Sequence, residues 1–137
     1  MTKLQALAKH LECEIDELSE TKHDENTFEH GSREYMVLTD SEADAYAKEQ
    51  ILQSLWAFNA SFISGHTVNG LSNAAEKALT KAQGELCEDA NDLVLAMIED
   101  VDHFVNDAIC SDGRGHFMSS YDGQENECGE FYVYRVN

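Results

Sequence analysis

Apolar residues recur between Glu85 and Cys110 in the three-four rhythm of a helix: Leu86, Ala90, Leu93, Val94, Met97, Ile98, Val101, Phe104, Val105, Ala108 and Ile109. At about 100° per residue these positions form one stripe. Glu85, Glu88, Asp92, Glu99 and Asp102 gather opposite it, flanked by Asp89, Asp100 and Asp107. The spacing predicts one long amphipathic helix over 85–110, with a core face and an acidic face. Upstream, Leu4, Leu7, Ala8 and Leu11 mark a short helix from Thr2 to Leu11. Thr27 to Leu38 has the composition of a hairpin turning near His30-Gly31-Ser32. Thr39 and Glu42 have the spacing of a capping box, so a helix should start there and run to about Phe58. Asn59 to Gly70 reads as looser chain, and Ser72 or Asn73 caps a further helix that Gly84 breaks or kinks.

After Cys110 the pattern changes. His116 to Tyr121 and Glu130 to Val136 read as two strands around a polar loop, Asp122 to Gly129. The expected order is helix, hairpin, three helices, hairpin. One antiparallel sheet built from the hairpins near 27–38 and 116–136, packed on a bundle of about three helices including 85–110, covers every apolar face. The expectation is a single α+β domain over 1–137.

Charge sharpens this picture. The formal net charge is −18, from 9 Lys and Arg against 27 Asp and Glu. The surplus is localised: residues 10–49 and 85–130 carry 13 acids each, whereas residues 50–84 carry one. Such a field repels nucleic acid and anionic membranes and attracts basic protein surfaces. No apolar run approaches the length of a membrane span, and the N-terminus lacks the apolar core of a signal peptide. The four cysteines, at positions 13, 87, 110 and 128, are widely spaced without a CxxC pair. That spacing argues against a zinc knuckle and for reduced thiols in a cytoplasmic protein.

Three constellations could carry chemistry. The first is the acidic face, with Glu85, Glu88, Asp89, Asp92, Glu99, Asp100 and Asp102, and a second patch at Glu125, Glu127 and Glu130. A helix over 85–110 would be about 37 Å long, close to one turn of B-DNA, although its charges are sparser than phosphates. The second is Arg114, His116, Tyr121 and Asp122 among glycines, where a small enzyme or ligand site could sit. No GxGxxG, P-loop or nucleophile elbow accompanies it. Its bland reading is a helix end with Arg114 paired to a carboxylate and an Asp122-Gly123 turn. The third is His103 and Asp107 four apart on a helix with Glu99 one turn earlier, a spacing common by chance in so acidic a chain. Neither a metal nor a cofactor is expected.

The phrase DGRGHFMSSYDGQENE followed by FYVYRVN, with LTDSEADAYA upstream, resembles small acidic proteins encoded by bacteriophages and prophages. That resemblance assigns no active site. It implies a class in which anti-CRISPR and antirestriction inhibitors occur, some of them DNA mimics acting in the host cytoplasm. The expected function is therefore non-enzymatic: an acidic protein that inhibits a host defence protein by occupying its basic, nucleic-acid-binding surface. The alternatives are a small enzyme or ligand-binding domain using Arg114, His116, Tyr121 and Asp122, and an acidic antitoxin-like partner protein or homodimer.

Overall fold

The computed structural model describes all residues 1–137. The chain is α+β, with a five-stranded antiparallel sheet in the order β1-β2-β3-β5-β4. Its strands are β1 (Leu18–Glu20), β2 (Thr27–His30), β3 (Arg33–Thr39), β4 (Asn126–Cys128) and β5 (Phe131–Arg135). The helices are α1 (Lys3–Leu11), α2 (Asp40–Gln53), α3 (Ala60–Ser64), α4 (Asn73–Leu86), α5 (Asn91–Met97), α6 (Val101–Asp112) and α7 (Arg114–Met118). The chain forms two compact units, Met1–Ala47 with Asp112–Asn137, and Lys48–Ser111. No helix is long and apolar enough to cross a membrane.

The first unit contains the sheet. The β2–β3 hairpin turns at Gly31, whose φ of +64° suits glycine. Strand alternation puts Phe28, Tyr35, Val37, Phe131 and Val133 on one face, where they pack with Ala6 and Leu7 of α1. Met36, Leu38 and Tyr134, which point the other way, are buried as well. The helix that covers the first face is thus α1. The expected capping box starts α2: the Thr39 N–H donates to Glu42 Oε1 at 2.9 Å, and the Glu42 N–H to Thr39 Oγ1 at 3.3 Å.

Two expectations fail here. The expected strand at 116–121 is instead the end of the helix α7, at 116–118, followed by a turn at 120–121, and the edge strand β4 lies inside the expected polar loop. The reason is Gly115. A Cβ there would stand 2.6 Å from the Gly123 carbonyl oxygen and 2.8 Å from the Glu125 nitrogen, so a short helix packs directly on the following loop. The strand β1 is an addition that Leu18–Glu20 had not suggested.

The second unit is helical and corrects the long helix. The segment 85–110 is divided among the end of α4, a 3₁₀ turn at Cys87–Ala90, α5 and α6. Gly84, expected to break the chain, lies inside α4. The break comes three residues later, where Cys87 adopts φ +50°. Ile98 is extended and ends α5, and Asp100 caps α6 by accepting the His103 N–H at 3.2 Å. Segmentation follows from packing. Asn91 turns inward and caps the end of α2, donating to the Gln53 carbonyl at 2.7 Å and accepting from the Trp56 N–H at 2.8 Å. Shorter and more numerous helices replace the expected bundle of about three. They enclose Ile51, Leu55, Ile63, Leu79, Val94 and Phe104. Phe104 touches the rings of Phe58, Phe62 and His66, each with centroids 5.1 Å away.

Candidate functional site: an acidic face carrying exposed leucines

The segment 85–102 faces solvent because α5 buries only a narrow line. Ala90, Val94 and Ile98, four apart in and beside α5, are buried, Asn91 and Met97 are half-buried, and Asp92, Leu93, Leu95 and Ala96 face water. Leu86 and Leu93, expected in the core, are 47% and 43% exposed, and Leu95 is 40% exposed. The acids Glu85, Glu88, Asp89 and Asp92 stand among these leucines, all exposed. Glu99, Asp100 and Asp102 follow at the corner between α5 and α6, also exposed, beside Lys48 and His103.

These acids differ in how free they are. Asp102 pairs with Lys48 at 2.9 Å, Glu85 is 3.9 Å from Lys81, and Asp100 is the α6 cap. Glu88, Asp89, Asp92 and Glu99 form no ion pair and their carboxylates accept no hydrogen bond. The face therefore holds four uncompensated charges and three leucines that the fold does not use.

The second acidic patch is thinner than expected. Glu127 and Glu130 are exposed in and after β4. Glu125, however, accepts from Arg114 Nε at 2.6 Å and from the Tyr134 hydroxyl. It is a structural carboxylate.

No family model, curated protein or solved structure matches this chain. The site is therefore argued on its own geometry.

The structure does not bring Arg114, His116, Tyr121 and Asp122 together. Arg114, with its side chain 9% exposed, binds Asp40 at 2.9 Å, Asp44 at 2.8 Å and Glu125, and stacks over Tyr132 at 4.6 Å. Burial opposes its charge, but the bonds to Glu125, Asp40 and Asp44 outweigh that and raise its pKa. Burial, then the Glu125 carboxylate, push the Tyr134 phenol up. Asp122 closes a local turn: its Oδ1 accepts the Gln124 N–H at 3.0 Å and lies 2.9 Å from Ser119 Oγ. The Gln124 N–H is the main reason its pKa is lowered. Tyr121 lies under the Arg135 guanidinium at 3.5 Å. His116 stacks on Phe117 and takes no part in the Ser119–Asp122 contact. Three carboxylates already engage its Nε and Nη1, so their negative charge opposes an anion at this guanidinium.

Of the helical metal candidates, His103 Nε2 lies 3.5 Å from Asp107 Oδ2, and the buried His66 Nε2 lies 3.0 Å from the same oxygen. His66 thus joins this pair through Asp107, while Glu99 contributes only its N–H to the His66 carbonyl. A different donor set converges in the first unit. One ligand atom each from Cys13, Glu17 and His30 falls within 4.8 Å of the others. Burial, then Glu17, Glu14 and Asp16, raise the Cys13 thiol pKa. Sequence spacing hid this trio, because Cys13 and His30 are 17 positions apart and no motif joins them.

Proposed function

We propose that this chain is a non-catalytic binding protein whose 85–102 face docks on the basic, nucleic-acid-binding surface of a protein partner and so competes with nucleic acid. The observation that carries the reading is the mixture on that face: Glu88, Asp89, Asp92 and Glu99 without cations, beside Leu86, Leu93 and Leu95 exposed. Solubility alone asks for charge and gains nothing from exposed leucines. Association gains from both, since charge steers the encounter and apolar side chains, once desolvated, hold the complex. The acids occupy a 3₁₀ turn and parts of three helices, so the imitation of nucleic acid is one of charge density and not of phosphate spacing along a rod. The resemblance to phage proteins makes a CRISPR or restriction complex the partner class.

The test begins with a pull-down from bacterial lysate at low and at high salt, followed by competition between the captured protein's nucleic acid and this chain. The triple reversal Glu88→Lys, Asp92→Lys and Glu99→Lys should slow association and flatten its salt dependence. Unchanged affinity together with no salt dependence in the unaltered chain would refute the proposal.

A further inference from the structure

We propose that Cys13, Glu17 and His30 form a zinc site that clips the end of α1 to β2. Each residue is placed by its own local structure. Cys13 follows Glu12, which ends α1 in the left-handed conformation at φ +55°, and its N–H donates to the Ala8 carbonyl at 3.0 Å. Glu17 closes the 3₁₀ turn Ile15–Glu17, where its Oε2 accepts the Glu14 N–H at 2.7 Å and leaves Oε1 free. His30 ends β2 opposite Leu18, the residue after Glu17. Alternation along β2 puts it on the same sheet face as Phe28, the face that α1 covers. Three segments thus deliver three donors to one corner.

Those donors face one another without being bonded to one another. Neither the Cys13 thiol nor the His30 imidazole takes part in a hydrogen bond or ion pair, although all three ligand atoms fit within 4.8 Å. A zinc ion about 2.0–2.3 Å from each donor holds them about 3.3–3.8 Å apart, so closure by about 1 Å suffices. Glu17 is exposed and makes that movement by loosening its bond to the Glu14 N–H. Sulfur and imidazole nitrogen select against calcium and magnesium, and one carboxylate completes a borderline set that suits zinc. Glu12, Glu14 and Asp16, all exposed, add attraction for a dication. Three protein ligands leave the fourth tetrahedral position to water. The site lies in the first unit and uses no residue of the acidic face, so it stands or falls independently of the binding reading.

The experiment uses the full, reduced chain titrated anaerobically with cobalt(II), then with zinc. One equivalent of cobalt should bind with a sulfur-to-metal charge-transfer band and intense tetrahedral d–d bands, and zinc should displace it and raise Tm. Cys13→Ser should abolish the charge-transfer band. His30→Ala and Glu17→Gln should each weaken binding at least about tenfold while far-ultraviolet circular dichroism stays unchanged. Cys87→Ser, Cys110→Ser and His103→Ala should leave the bands intact. Absence of a thiolate band, its survival in Cys13→Ser, or unaltered affinity in His30→Ala would overturn the site, because cobalt would then be held by surface carboxylates or by another thiol.

Discussion

Replacing Arg114 by Ala removes one guanidinium and strands three carboxylates. Two of them, Asp40 and Asp44, have side chains 68% and 63% exposed. Water screens such pairs, and each is worth about 0.5 kcal/mol. Glu125 is 30% exposed and shares its oxygen with Tyr134, so its charge-assisted bond is worth about 1.5 kcal/mol. Loss of the stack on Tyr132 adds about 0.5–1 kcal/mol. The total is about 3 kcal/mol, at the lower edge of what breaking a buried pair costs, because only the arginine end is buried. With an unfolding entropy of about 2.1 cal/mol/K per residue, a cooperative chain of 137 residues would lose about 10 °C in Tm. Arg114→Lys should recover about half, since an ammonium cannot span three carboxylates in the way a planar fork does. The assay is urea denaturation followed by circular dichroism, with Arg114→Ala measured at low and high salt. Added salt should restore part of the loss by screening Asp40 against Asp44. A loss below about 1 kcal/mol, or equal stability for Lys and Arg, would refute the ledger.

Three further outcomes follow from the same geometry. Gly115→Ala should destabilise by about 1–3 kcal/mol in thermal unfolding, because the added methyl meets backbone at 2.6–2.9 Å and the loop has to move. Leu93→Ser should change stability by less than about 0.5 kcal/mol, against about 2–5 kcal/mol for truncating a leucine in a core, and should weaken partner capture. Glu42 has its pKa lowered, chiefly by the Thr39 N–H and next by Lys3. A carboxyl depressed on folding stabilises above its unfolded pKa, and that contribution fades as pH falls through the folded value. Acid unfolding curves should therefore show stability dropping below the ordinary carboxyl value of 4.5, and Glu42→Gln should flatten that limb.

What the sequence revealed depends on how local each cause is. Thr39 and Glu42 announced the start of α2 because both halves of the capping box are three residues apart. The β2–β3 hairpin was equally legible, with Gly31 at its turn. The stripe over 85–110 correctly picked out Ala90, Val94, Ile98, Phe104, Val105 and Ala108 as core. It failed on continuity, because periodicity survives a 3₁₀ turn and a corner of two or three residues. Nor could it show that Asn91 spends its side chain capping α2, which is a tertiary event. One signal was available: Leu95 does not fit the stripe, and an apolar residue off the stripe is a residue left for something else. The α7 misreading has a similar origin, since Gly115 looked like a helix stop until Gly123 and Glu125 were placed against it. Pairing of Arg114 with a carboxylate was legible, while the identity of its partners, Glu125 among them, was not.

The order of the sheet has one more consequence. Its two outermost strands, β1 and β4, are each three residues long, and each carries an exposed acid, Glu20 and Glu127. An open strand edge is a template on which another chain can add a strand, and short edges bearing like charges deny that template to a second copy. A chain with so much charge of one sign and leucines on its surface could otherwise trade solubility for stickiness. Short, charged edges disfavour self-addition, so loss of those two carboxylates, in acid or by replacement with Val, should promote β-aggregation at high concentration.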